Sequence, residues 1–284
     1  MYLKPSLNSA EKRCLLLHGL ISSAAEFSTL KAPLANGGIT LQTPSLAGYS
    51  HSPRLKPVRW QDWLAQAEAE LLIASQDGPV AVGGLCIGAL LALELAVRHP
   101  DKVNRLVLLS PTLYYDGWGL SRWRRLRHIG YLPGLRRWIG AHEREPYGVK
   151  NPQIRKWIAR ELEKQACSAA GAAKLPLWAI HEAEKLIAHT KRQLSKVKAP
   201  ALILHAREDE VTSLKSAHHL VDALPSSRLV VLENSYHMVT LDNDRHLVQR
   251  EIAAFLHHAV PSRAAVAPQP TPVHLEGAEP CLQP

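Results

Sequence analysis

Pro79-Val-Ala-Val-Gly-Gly84-Leu85-Cys86-Ile87-Gly88 is the stretch that decides how this chain is read. Residues 79–84 form a short apolar run of strand type, and residues 87–98 have the apolar density of a buried helix that follows with almost no loop. A chain that turns from strand to helix so sharply strains the residue at the corner, and positions two before and two after it must be small. Gly84 and Gly88 meet that demand, and Cys86 occupies the corner. Its side chain then projects beyond the strand end, beside a helix N-terminus whose free N–H groups and partial positive charge favour an anion.

The same alternation of strand and helix extends outward in both directions. Residues 14–18, 40–46, 104–110, 199–206 and 228–232 read as strands; 60–75, 213–223 and 242–258 read as helices. Such βα order predicts an α/β fold with a mostly parallel sheet and helices on both faces. Regular alternation stops between residues 112 and 198. We therefore expect a core made of 1–111 and 199–259, interrupted by a helical insertion at 112–198. Residues 260–284 are rich in Pro and Ala and too poor in large apolar residues to offset their ordering entropy, so disorder is expected there.

Four turns besides the Cys86 corner carry chemistry-bearing residues: His18-Gly19-Leu20, Pro44-Ser-Leu-Ala-Gly48-Tyr49, Ala206-Arg-Glu-Asp209-Glu-Val211 and Asn234-Ser-Tyr-His237-Met-Val-Thr-Leu-Asp242. Each follows a predicted strand. In this order they resemble the α/β-hydrolase superfamily, in its carboxylesterase and monoacylglycerol-lipase-like branch, over about residues 13–257. The resemblance implies an α/β-hydrolase fold with a helical cap and a nucleophile–acid–histidine triad of Cys86, Asp209 and His237. It also implies an oxyanion hole from the backbone N–H groups of Leu20 and Ile87. Gly84 and Gly88 are then the elbow glycines. The departure is Cys86, because most of that branch carries Ser at this corner. Glu208, Glu210 and Asp116 compete with Asp209 for the acid's place; His18 is expected to hold its turn, and Asp242 to cap the last helix.

A cysteine changes the chemistry in a definite way. A free thiol with a pKa near 8.5 is only about 3% thiolate at pH 7, and lowering it to about 6.5 would raise that to roughly 75%. Attack on an ester or thioester with an apolar acyl group would give an acyl-thioester, which His237 would help water to hydrolyse. Three readings stay open: a hydrolase, an acyltransferase or cyclase that uses the same acyl-enzyme, and a catalytically silent protein that holds a hydrophobic ligand. No metal and no organic cofactor is expected, since such a triad needs neither.

Composition narrows the partners. The chain has 284 residues, 34 Lys plus Arg, 25 Asp plus Glu and a formal charge of +9. The excess is concentrated in residues 117–200, where 18 basic residues meet 6 acidic ones and five of the seven Trp are found. A basic, Trp-rich insertion suits an acidic acyl carrier protein or an anionic headgroup. No nucleic-acid motif accompanies it, so no nucleic acid is expected. No apolar run reaches the roughly 18 residues of a membrane span. Residues 1–9 contain no secretory h-region, and Cys14, Cys86, Cys167 and Cys281 have neither disulfide nor metal spacing, which together predict a cytoplasmic protein. Cys14 in a strand and Cys167 in an Ala-rich helix are expected to be packing residues.

Overall fold

A computed structural model describes residues 12–52, 55–120, 140–164 and 167–257. The Pro-rich segment 260–284, with Cys281, and most of the stretch richest in Arg and Trp lie outside the described residues.

The elements follow the apolar runs closely. They are β1 (Lys12–Leu17), α1 (Ser28–Asn36), β2 (Ile39–Gln42), α2 (Trp60–Ala74), β3 (Val80–Leu85), α3 (Ile87–Arg98) and β4 (Val103–Leu109). Beyond residue 200 come β9 (Ala201–Ala206), α6 (Leu214–Ala223), β10 (Ser227–Leu232) and α7 (Arg245–His257). Six strands form one sheet in the order β10-β9-β4-β3-β1-β2. Every neighbouring pair is parallel. All strand C-termini therefore open on one edge, where ligands bind in open parallel sheets. The architecture is the α/β-hydrolase fold.

β3 and β4 lie in the middle of the sheet. Every residue of β3 is buried, which explains a continuous apolar run where a half-exposed strand would alternate. α3 is apolar on all sides for a similar reason, being buried from Ile87 through Ala96. One acid, Glu94, interrupts that face; its Oε1 accepts from Thr190 Oγ1 at 2.6 Å, and its Oε2 stands 3.4 Å from His189 Nε2.

The segment between β4 and β9 holds β5 (Gly140–His142), α4 (Pro152–Lys164), β6 (Cys167–Ser168), β7 (Gly171–Ala172), β8 (Lys174–Pro176) and α5 (Leu177–Lys191). β5 pairs with β8 and β6 with β7, both antiparallel. α5 lies against the core helices: the Trp178 ring packs at a tilt on Trp63, His189 packs on Trp60, and Glu182 Oε2 accepts from Trp60 N.

Two local expectations are corrected, and one helix was not foreseen. Cys167 lies in the two-residue strand β6, half-buried, and not in a helix. β2 ends at Gln42, short of the expected residue 46, because Pro44 cannot donate to a ladder. α1 was not legible, since Pro33 inside it argues against a helix. Pro33 leaves the carbonyl of Thr29 without its helical donor, and Gln249 Nε2 of α7 donates to that oxygen at 2.9 Å.

Candidate active site

Cys86 stands between β3 and α3 with φ 58° and ψ −117°, a conformation that L-residues rarely adopt. Such strain costs on the order of 1–3 kcal/mol and persists only where the surroundings enforce it. Here Cys86 N donates to Leu109 O at 3.0 Å. The two glycines let the corner close. A Cβ on Gly88 would lie 2.1 Å from Leu17 O and 2.4 Å from His18 O, and one on Gly84 would lie 2.4 Å from the carbonyl carbon of Gly88. Ile21 (φ 50°), Ser110 (φ 42°) and Tyr147 (φ 55°) also have positive φ. Tyr147 and Cys86 line one cavity, and Ser110 Oγ donates to His237 O. Strain thus gathers at the edge where the strands end.

That edge brings three predicted site residues together. His237 and Asp209 meet through a 2.8 Å hydrogen bond between Nδ1 and Oδ2. The other oxygen, Asp209 Oδ1, accepts from the backbone N–H groups of Val211 and Thr212 at 2.8 and 2.9 Å. Burial alone would push the imidazole pKa down, but the charge of Asp209, the charge of Cys86 and the hydrogen bonds that the ring donates to both raise it well above its ordinary value. The Cys86 Sγ also lies 3.3 Å from Thr112 Oγ1, and the residue is 9% exposed.

The acids that competed with Asp209 are engaged elsewhere. Asp116 accepts from Ser213 N and Oγ, Glu208 pairs with Lys150 at 2.9 Å, and Glu210 Oε2 accepts from the backbone N–H of His237 at 3.1 Å. His18 is fully buried and stacked on Tyr49. Its Nδ1–H donates to Gly19 O at 2.8 Å, and its Nε2 accepts from Ser50 Oγ at 2.7 Å. Burial lowers its pKa to about 4, so the ring is neutral and holds the turn. Asp242 does not cap α7. It is a buried hub that accepts from the backbone N–H groups of Lys150, Asn151, Tyr236 and Asn243.

A cavity of about 100 Å³ opens beside Cys86 and His237. Leu20 lines it, while Ile87 begins α3 with a backbone N–H that no helical carbonyl takes up. Leu85, Leu175, Val211 and Met238 supply apolar wall. The sequence reading missed two carboxyl groups that line the cavity, Glu26 and Glu143, and weighed Glu210 there only as a rival of Asp209. Glu26 Oε2 accepts from Gly19 N at 2.8 Å. Burial pushes each of the three up to about 7; for Glu26, nearby Ser22, the Gly19 N–H and the charge of His237 pull the other way. Nothing local marked them, because each reaches the cavity from a different part of the chain. No cluster of His, Cys, Asp and Glu among the described residues has the makings of a metal site. No described helix is long and apolar enough to cross a membrane.

A model of the family described as serine aminopeptidase, S33 matches residues 8–244, most of the chain. The protein belongs to that family. Within the S33 family's reach it is 27% identical over 250 residues to the thermostable monoacylglycerol lipase of Bacillus sp. (strain H-257), covering 86% of this chain and 90% of that one. It is also 27% identical over 252 residues to a pimeloyl-[acyl-carrier protein] methyl ester esterase of Neisseria meningitidis, covering 82% and 90%. Among solved structures, a soluble variant of monoglyceride lipase from Saccharomyces cerevisiae superposes with a TM-score of 0.73 at 15% identity, over 90% of this chain and 89% of that one. That likeness shows the fold. This S33 family member has Cys86 at the corner.

Proposed function

We propose that this protein hydrolyses carboxylic esters or thioesters through Cys86, with His237 as acid–base and Asp209 as its orienting partner. The carrying observation is the convergence of Cys86 and His237 at one cavity, with Asp209 behind the ring and accepting from His237 Nδ1 at 2.8 Å. The esterases and lipases among its relatives support the same class of reaction. A raised imidazole pKa favours a Cys86 thiolate beside a protonated His237. The thiolate adds to the acyl carbon, and the oxyanion accepts from the N–H groups of Leu20 and Ile87. Such a donor is worth about 3–4 kcal/mol in an acyl-transfer transition state. His237 gives its proton to the departing alcohol or thiol as the bond to the acyl carbon breaks. It next takes a proton from water, whose oxygen attacks the thioester, and Cys86 leaves as thiolate. Gly84 and Gly88 keep the corner sharp enough for this approach.

In this reading residues 112–198 are the cap, contributing Glu143, Tyr147, Ala172 and Leu175 to the cavity, and α5 fastens it to the core. α4 carries Arg155, Lys156 and Arg160 beside Trp157, which is 45% exposed, and this face suits an acidic acyl carrier protein. Acyl transfer to an amine or alcohol is the second reading, supported by a nucleophile enclosed enough to restrict water.

Intact mass spectrometry with p-nitrophenyl esters and acyl-coenzyme A thioesters tests the proposal. A transient acyl adduct on Cys86, absent in Cys86→Ala, is expected. Absence of any adduct or product, with Cys86 alkylated only after denaturation, would instead identify a silent binding protein. Added hydroxylamine diverting the acyl group away from free acid would identify a transferase. Carrier-linked substrates should lose rate as salt rises, because steering between exposed charges is screened.

A further inference from the structure

We propose that the cavity beside Cys86 receives a short acyl group ending in a protonated amine, its stem against Leu175 and Met238 and its ammonium among Glu26, Glu143 and Glu210. The inference rests on the esterase reading above and names the substrate class.

Three carboxyl groups reach this one cavity from separate parts of the fold. Glu26 follows the His18–Gly19 turn, Glu143 follows β5, and Glu210 follows β9. Their own protein partners are few. Glu26 takes one N–H from Gly19 and Glu210 one from His237; the Glu143 carboxyl has no hydrogen bond or ion pair with any described residue. Ser22 supplies an independent sign. The residue is 1% exposed and lines the same cavity, and its hydroxyl, set beside the Glu26 carboxyl, completes no hydrogen bond of good geometry. A buried hydroxyl without a well-formed partner, beside carboxyl oxygens with spare acceptor capacity, marks a polar wall that the protein's own groups do not complete.

Charge balance gives the sign of the donor. The chain carries 34 Lys and Arg, yet among the described residues none lines the cavity. The cation facing these acids is His237, which is already bonded to Asp209. With no further cation, burial raises all three carboxyls to about 7, and ionising them together calls for added positive charge. An ammonium supplies up to three donors and the missing charge. An anionic acyl group would add to the repulsion.

Size gives the length. An apolar cavity of about 150 Å³ holds a benzene, and this one is about 100 Å³. It suits an acyl chain of about three to five heavy atoms. A long alkyl chain would overfill it and cover three carboxyls with methylene groups.

The test compares methyl esters of β-alanine, butanoate and succinate, the first two differing only in an ammonium for a methyl. At pH 7, kcat/KM for the β-alanine ester should exceed that for the butanoate ester at least tenfold, and monomethyl succinate should be the poorest substrate. Glu143→Gln should bring the β-alanine to butanoate ratio toward one. A ratio near one in the unmodified protein, or one that Glu143→Gln leaves alone, overturns the inference while the esterase reading stands. Calorimetry on Cys86→Ala with β-alaninamide and butanamide separates binding from turnover. Tighter binding of β-alaninamide, weakened by adding Glu143→Gln, upholds the inference even if no ester is cleaved and the esterase reading fails. Equal binding of the two amides overturns it.

Discussion

At Cys86 the backbone and the reaction are the same problem. The strained corner lifts the thiol off the strand end, and the strain is held by packing too tight for any side chain at Gly88. Gly88→Ala would press a methyl against two carbonyl oxygens, those of Leu17 and His18. Relief requires moving the turn that carries Leu20. The expected loss is about 3 kcal/mol or more in urea unfolding, above the ordinary overpacking range, accompanied by a fall in kcat. Asp209 governs the neighbouring imidazole by charge. It helps hold the His237 pKa well above the ordinary value, so the protonated ring persists as pH rises. Acylation should therefore lose rate only at an alkaline limb lying well above pH 6.5. Asp209→Asn removes the charge that favours imidazolium, and that limb should move toward neutrality. The rate itself should fall by about 10⁴, as when a triad aspartate loses its charge elsewhere. A limb unmoved by Asp209→Asn would show that another group sets it.

At the scale of elements, the residues proposed as catalytic sit on loops that must be tied down. His237 lies between β10 and α7, and Asp242 is the anchor of that loop. Its two oxygens accept four backbone N–H groups, two from residues 150–151 ahead of α4 and two from the loop itself. One buried carboxylate thus couples the insertion to the position of His237. Asp242→Asn keeps the shape but turns one acceptor into a donor facing two N–H groups. We expect a cost of about 2–4 kcal/mol, since bonds to a charged group are the strong ones. Denaturant unfolding together with kcat checks this; stability lost with unchanged kcat would show that the loop is held in some other way. α5 is tied similarly by Thr190 to Glu94 of α3, which explains an acid in the most apolar helix of the chain.

Across the whole molecule, a basic protein encloses an acidic cavity. Burial raises Glu26 to about 7 from about 4.5. The folded state therefore holds that proton more tightly than the unfolded chain does. The associated cost is small below pH 4.5, grows through the window from 4.5 to 7, and is complete above 7. Glu26→Gln keeps an acceptor for Gly19 N–H and removes the ionisation. It should be more stable than the unmodified protein at pH 8, by up to about 3 kcal/mol at about 1.4 kcal/mol per unit, and nearly equal at pH 4.5. Unfolding at the two pH values decides it; an equal effect at both would mean that the carboxyl is not the titrating group. His18 acts in the opposite direction. Its pKa of about 4 means that the unfolded chain binds the proton more readily, so stability drains away as pH falls from 6.5 toward 4.

How much of this was legible follows from how far each interaction reaches. β3 and α3 were readable to within a residue or so, because a central parallel strand and a fully covered helix must be apolar without interruption. Gly84, Cys86 and Gly88 were readable because a sharp corner is a local demand on local atoms. Asp209 was chosen by resemblance over Glu208, Glu210 and Asp116, because no local signal separates these acids. His237 Nδ1 bonds to Asp209, while the adjacent Glu210 turns to the backbone N–H of His237. Only the packing of two loops could choose between them. Proximity in sequence likewise suggested Asp242 as a helix cap, whereas the fold uses it as a hub between segments about ninety residues apart. The amino-acid sequence by itself determined the parallel sheet, the strained corner and the family of turns, since each depends on residues within a few positions of one another. Tertiary structure alone decided that Glu26, Glu143 and Glu210 would share a wall with Cys86, because burial and electrostatics depend on distance in space, and no short stretch of chain contains that distance.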